Sequence, residues 1–233
     1  MSSLRLTSDL RREQILEAAK PCFARYGFVG TTTRSVALAA GISEGLLFKH
    51  FPTKAALYAE ILAEECEADP ELHRLLELTP STSTLVILVR EMVSHFMRAT
   101  EDQDQEEAQR IRLLVSSQLT DGEFARLLFA KIGDLIGSVF TASVESAVAA
   151  GDATPVEGEP LNLFWFSHHI VHMIALTRLS AVPSLAFPST PAFERQICQF
   201  ILRGIGLKES AIESYLDAAP PSDLAAVRVA QGA

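Results

Sequence analysis

Residues 31–62 read TTTRSVALAAGISEGLLFKHFPTKAALYAEIL, and the helix starts and stops inside this run decide the fold. Thr32 or Thr33 can cap a first short helix reaching about Ala40, and Ser43 a second reaching about Phe51; Thr53 can cap a longer third one carrying Ala56, Leu57, Tyr58, Ile61 and Leu62. Only Gly41 and Ile42 separate the first two, and Pro52 ends the second. Two short helices on a glycine turn, with Ala37 at a tight crossing and Val36, Ile42 and Leu47 apolar, read as a helix-turn-helix. Such a pair serves either as plain core packing or as a DNA reader. The faces of the second helix favour the reader. At about 100° per residue from an inward Leu47, Phe51 and Ser43 fall about 40° to either side, while Gly45 and Lys49 fall about 160° away. The outward surface is then a missing side chain, an ammonium group and the flanking Leu46 and Phe48, a poor design for solvation alone. It suits close approach to DNA, with Lys49 reaching a phosphate or a guanine edge and Leu46 a thymine methyl.

Outward from this run the periodicity stays helical, and the fold class is all-α. A preceding helix begins near Ser8 or Asp9 and carries Ile15, Ala19, Cys22, Phe23 and Tyr26 before stopping at Gly27-Phe28. Downstream, the pattern of the fourth helix is lost at Asp69-Pro70. Further helices are expected over about 85–99, 108–119, 121–149, 161–179 and 193–205, with a polar loop at 151–160 and a Pro-rich connection at 181–191. The expected domains are a helix-turn-helix head over 1–54, a helical ligand-binding and dimerisation body over 55–219, and a mobile tail over 220–233.

Charge divides along the same line. Residues 1–60 hold eight Lys/Arg and five Asp/Glu, a net +3, and the remainder holds 12 basic and 24 acidic residues, a net −12, within a total of −9. A locally positive segment on an acidic chain can still bind phosphate, because exposed charges are screened beyond about 8 Å at physiological salt. The three cysteines, Cys22, Cys66 and Cys198, are odd in number and widely spaced, which fits neither a disulfide framework nor paired zinc ligands. No apolar run approaches the roughly 20 residues needed to span a bilayer, and the first residues, MSSLRLTSDLRREQ, are not those of a signal peptide, so a cytoplasmic protein without a membrane partner is expected.

With these residues in place, 31–62 resembles the DNA-binding signature of the TetR family of bacterial transcriptional regulators: an alanine-glycine turn, a short recognition helix ending in an aromatic-x-His-Phe run, and a lysine opening the next helix. The resemblance covers about residues 9–62. It implies a three-helix DNA-binding head, a helical body that binds a small molecule, and a homodimer on a palindromic operator. By position it implies DNA contacts from Thr32, Thr33, Arg34, Ser43, Glu44, Gly45, Leu46, Phe48, Lys49, His50 and Lys54, with Thr33, His50 and Lys54 at phosphates. Phe48 departs from the pattern, since many members carry a tyrosine there whose hydroxyl reaches a phosphate.

The body supplies aromatic, methionine and histidine side chains for an apolar cavity. Candidate ligand contacts are Met92, His95, Phe96, Phe124, Leu128, Trp165, His168, His172 and Arg178, which suit an apolar or aromatic molecule with one or two polar anchors. Leu163, Phe164, Phe166, Ile170, Met173, Ile174, Ile197, Phe200 and Ile201 supply apolar surface on two helices for a four-helix seam between protomers. No cofactor, catalytic residue or metal is expected. His168 and His172 share a helix face at i, i+4, yet the HExxH pattern of a metal hydrolase is missing. Two rival readings stay open on the residues alone: a metal-dependent helical enzyme using those histidines, and a purely structural helical dimer.

Overall fold

The structure, a computed structural model, describes residues 8–101, 105–180, 182–183 and 185–218; the expected mobile tail lies outside them. Eleven helices are formed among the described residues: α1 (Ser8–Gly30), α2 (Thr33–Ala39), α3 (Glu44–His50), α4 (Lys54–Ala68), α5 (Pro70–Leu76), α6 (Thr82–Glu101), α7 (Gln105–Gln118), α8 (Glu123–Ala149), α9 (Pro160–Arg178), α10 (Pro191–Ile205) and α11 (Glu209–Leu216). The described backbone holds no strand, only an isolated bridge between Ala153 and Leu207. The chain is all-α, as its periodicity requires.

Two of these helices depart from the expected pattern. Asp69-Pro70 was read as a break, whereas it starts α5: Pro70 takes the first helical position and Asp69 Oδ1 accepts from Leu72 N at 3.4 Å. α11 has no side-chain cap and is held by burial of Ala211, Ile212 and Leu216.

The contacts divide the chain into two compact units. The first comprises residues 1–66 and 109–131, and the second 67–108 and 132–233. The first unit takes in α4, beyond residue 54 where the head was expected to end. α4 belongs with the head because Tyr58 sits in a run of rings, 4.7 Å from Phe23, 5.4 Å from Phe28 and 5.6 Å from Phe124 at the start of α8. Thr53 Oγ1 also donates to Glu123 Oε1 at 2.9 Å.

In the second unit α6 is the central helix, packing on α9, α10 and α11 through Leu85, Val89, Val93, Phe96 and Met97. Its start is tied to the loop after α8 by Thr82 Oγ1 donating to Asp152 Oδ2 at 2.7 Å. One apolar feature exceeds the expectation. α8 contains an 18-residue window of mean hydropathy 1.5, long and apolar enough by composition alone to cross a membrane. Phe124, Phe140 and Ala147 of this helix are buried.

Candidate nucleic-acid interface

The helix-turn-helix is built by caps. Thr32 caps α2 in a reciprocal box: its Oγ1 accepts from Ser35 N at 3.1 Å and its own N–H donates to Ser35 Oγ at 3.2 Å. Ser43 caps α3 by accepting from Leu46 N at 3.2 Å. Between them Gly41 takes φ 65°, the left-handed conformation that lets a turn this short reverse the chain. Val36, Ala37, Ala40, Leu47 and Phe51 are buried beneath the pair.

Two side chains from α1 then fix its position. Gln14 Nε2 donates to Ala40 O at 3.0 Å, at the turn. Arg12 lies with its guanidinium 4.3 Å above the Phe51 ring, donates from Nη1 to His50 O at 3.2 Å and pairs with Glu60 at 3.0 Å. Glu60 also meets Lys131 at 2.7 Å, and these two cations hold its carboxylate below the usual range although burial opposes them. Neither Arg12 nor Gln14 was singled out by sequence reasoning, because both act on backbone carbonyls of residues more than twenty positions away.

What remains outward matches the helical wheel in the main. Arg34, Ser43, Glu44, Gly45 and Lys49 are exposed, Leu46 and His50 half-buried. A Cβ placed on Gly45 would meet only Ser43 Oγ at 4.0 Å, so the glycine is not required by packing within the protomer. Phe48 is 44% exposed, which removes plain core packing as its explanation. Leu38 on α2, 81% exposed, went unremarked in the sequence and has no burial to account for it.

Two expected phosphate contacts are otherwise engaged. Lys54 Nζ donates to Phe28 O at 2.7 Å and Thr31 O at 3.0 Å and lies 4.3 Å above the Phe28 ring. It closes the end of α1, and burial lowers its pKa. One N–H of three is left for a phosphate. Thr33 Oγ1 donates to Glu44 Oε1 at 2.8 Å, joining α2 to α3 across the turn.

The body candidates fall in both compact units. Phe124 and Leu128 are buried in the first unit. In the second, Phe96 is buried with the His168 ring edge-on at 5.2 Å and the His172 ring stacked at 5.8 Å, and Trp165 is 5.6 Å from His168. His95 is exposed and Met92 half-buried on the same helix. Burial, helped by nearby His172, His169 and His95, lowers the His168 pKa to about 3, so this imidazole is neutral at physiological pH. Arg178 belongs elsewhere: its Nη2 donates to Pro188 O at 2.6 Å, tying the Pro-rich connection to α9. Among the described residues no three His, Cys, Asp or Glu side chains gather as a metal site.

The seam candidates also divide. Leu163, Phe164, Ile197 and Ile201 are buried within the protomer, Phe164 with its ring 5.5 Å from that of Phe140 on α8. Phe166, Met173 and Phe200, at 63%, 57% and 63% exposure, form the outward face. Beside them Ile170, Ile174, Ile197, Phe187, Pro188 and Phe193 line an open groove of about 450 Å³ with Gln196 and Phe200.

Comparison with known proteins places this geometry. The model of the bacterial regulatory proteins of the tetR family matches residues 15–61. Over 114 residues the chain is 37% identical to the transcriptional repressor AcnR of Corynebacterium efficiens, covering 48% of this chain and 53% of that one. The chain thus spans about half the length of the curated relatives it matches. Among solved structures, RolR in complex with resorcinol superposes with a TM-score of 0.62 at 13% identity, covering 92% of this chain and 97% of that one. SmeT, the repressor of a Stenotrophomonas maltophilia multidrug efflux pump, gives 0.54 at 18%, covering 93% and 98%. These last two likenesses concern the fold. The family match lies in the head: residues 15–61, which hold the capped turn, carry the DNA-binding segment of the tetR family.

Proposed function

We propose that the chain is a transcriptional regulator, a repressor that binds a palindromic operator as a homodimer in the cytoplasm and is released by a small apolar or aromatic molecule. The observation that carries the reading is the outward face of α3, where Gly45, Lys49, Leu46 and Phe48 are left to a partner while every cap and tether beneath them is satisfied. Lys49 and Arg34 supply cations, and Ser43, Thr32 and His50 flank them at the phosphate level. The third N–H of Lys54 adds one weaker phosphate contact.

The dimer joins the outward faces of α9 and α10. Exposed Phe166 and Met173, with half-buried Ile170, lie along one line of α9, and exposed Phe200 is on α10. A two-fold axis sets each ridge against the groove of the other copy. A palindromic operator requires two recognition helices about one turn of DNA, roughly 34 Å, apart.

The effector is held near Phe96, Trp165, His168 and His172. The rings gathered there, Phe96 edge-on to His168 at 5.2 Å, favour an aromatic body. The test is enrichment of random duplexes by the full chain. An inverted repeat is expected, with affinity falling steeply as salt rises. Failure to enrich any repeat, with binding equal on all sequences, contradicts the reading.

A further inference from the structure

Resting on the regulator reading, one contact on the outward face goes further. Glu44 is an exposed carboxylate in the first turn of the recognition helix, where a negative charge opposes DNA phosphates. A carboxylate only accepts hydrogen bonds, so it gains nothing from a phosphate oxygen. Yet the protein does not leave it loose. Thr33, the first residue of α2, donates its hydroxyl proton to Glu44 Oε1 at 2.8 Å, and both helices are themselves capped, by Thr32 and Ser43. The tether restricts a flexible side chain, so part of its rotamer entropy is already lost before DNA arrives. One carboxylate oxygen is used by Thr33 and Oε2 is left as an acceptor. Next to it Gly45 has open space where a side chain would stand, so the helix can come close to a base edge.

The major groove offers two donors, the amino groups of cytosine N4 and adenine N6. On adenine the N6 amino group stands beside the N7 lone pair, which repels a carboxylate and suits an amide that both donates and accepts. On cytosine it stands beside a C–H. We propose that Glu44 is a specificity-determining residue that accepts from a cytosine N4 amino group in each half-site, and that Thr33 is its positioning residue rather than a phosphate contact.

The experiment uses the full-length chain and a panel of duplexes in which each base pair of the enriched half-site is replaced in turn, with affinities read by anisotropy. For the native chain one C·G pair is expected to be preferred over T·A by roughly 10- to 100-fold. Glu44→Ala abolishes that preference and no other. Glu44→Gln transfers it to adenine at the same position, because an amide matches N6 and N7 together. Thr33→Val keeps cytosine preferred but reduces the discrimination several-fold, whereas loss of a phosphate contact lowers affinity equally for all duplexes and flattens the salt dependence. Equal circular dichroism and melting temperature of the four proteins keep folding out of the comparison. If Glu44→Ala strengthens binding to every duplex alike and the cytosine preference survives, the carboxylate only repels phosphate and the proposal is overturned. If the native chain enriches no duplex, the regulator reading itself fails and takes this one with it.

Discussion

The head and the body of this protein leave opposite kinds of surface unfinished. In the head the apolar side chains are inside, apart from a few such as Leu38 and Phe48, and the outward face of α3 is a glycine, a lysine and a tethered carboxylate. In the body the outward faces of α9 and α10 carry Phe166, Met173 and Phe200, whereas buried polar groups such as His168 and Thr82 stand inside. A polar face open to close approach and carrying a lysine suits a polyanion, and an exposed apolar one suits its like. The two partners proposed, DNA for the head and a second copy for the body, rest on this contrast.

Adjacent residues on α10 give the sharpest way to break that contrast. Ile201 is 2% exposed and Phe200 63%. Ile201→Glu buries an unpaired charge and is expected to cost about 4 kcal/mol or more, unfolding the protomer as read by circular dichroism. Phe200→Glu keeps the helices but places two like charges at the two-fold, so sedimentation should show a dimer weakened at least about 100-fold. A Phe200→Glu chain that still sediments as a dimer at micromolar concentration would move the seam elsewhere.

Acid separates the two regions next. His168 has its folded pKa depressed to about 3 from an ordinary 6.5, so the unfolded chain binds the extra proton. Stability that is complete above about pH 6.5 is therefore lost as pH falls toward 3, by at most about 1.4 kcal/mol per unit. Chemical denaturation at pH 7.0 and 5.5 should show this slope in the native chain. It should shrink in His168→Leu, and an unchanged slope would place the acid sensitivity on other groups.

How much of this was legible depended on the range of the interactions. The helices from α1 to α4 follow from caps and glycines within four residues of where they act, so their limits could be read from Thr32, Ser43, Thr53 and Gly27. α5 and α11 are short, and α11 depends on burial of Ile212 and Leu216 rather than on a local signal. α9 is apolar on nearly every side, which is why Phe164 could not be told from Phe166 before packing was known. Lys54 was read correctly as the start of a helix, but its two carbonyl partners lie more than twenty residues back.

Those same long-range contacts yield two smaller effects in the head. Lys54→Met removes hydrogen bonds to two carbonyls and a cation above Phe28, and should lower stability by about 1–2 kcal/mol. Its effect on the salt slope of DNA binding should fall short of the one unit expected for a full phosphate contact. Arg12→Ala releases His50 O, the Phe51 ring and Glu60 together. About 1 kcal/mol of stability and a several-fold loss of DNA affinity are expected, with the salt slope unchanged because Arg12 touches no phosphate.

The central claim is that the outward face of α3 reads DNA, and Gly45 tests it most directly, since a side chain there meets nothing in the protomer closer than Ser43 Oγ at 4.0 Å. The measurement is the affinity of Gly45→Leu for the enriched duplex, alongside its melting temperature and sedimentation. The account predicts a dimer of nearly native stability whose DNA affinity is at least about 100-fold weaker, roughly 2.7 kcal/mol, because the leucine holds the helix away from the groove. Native affinity in that variant would contradict it.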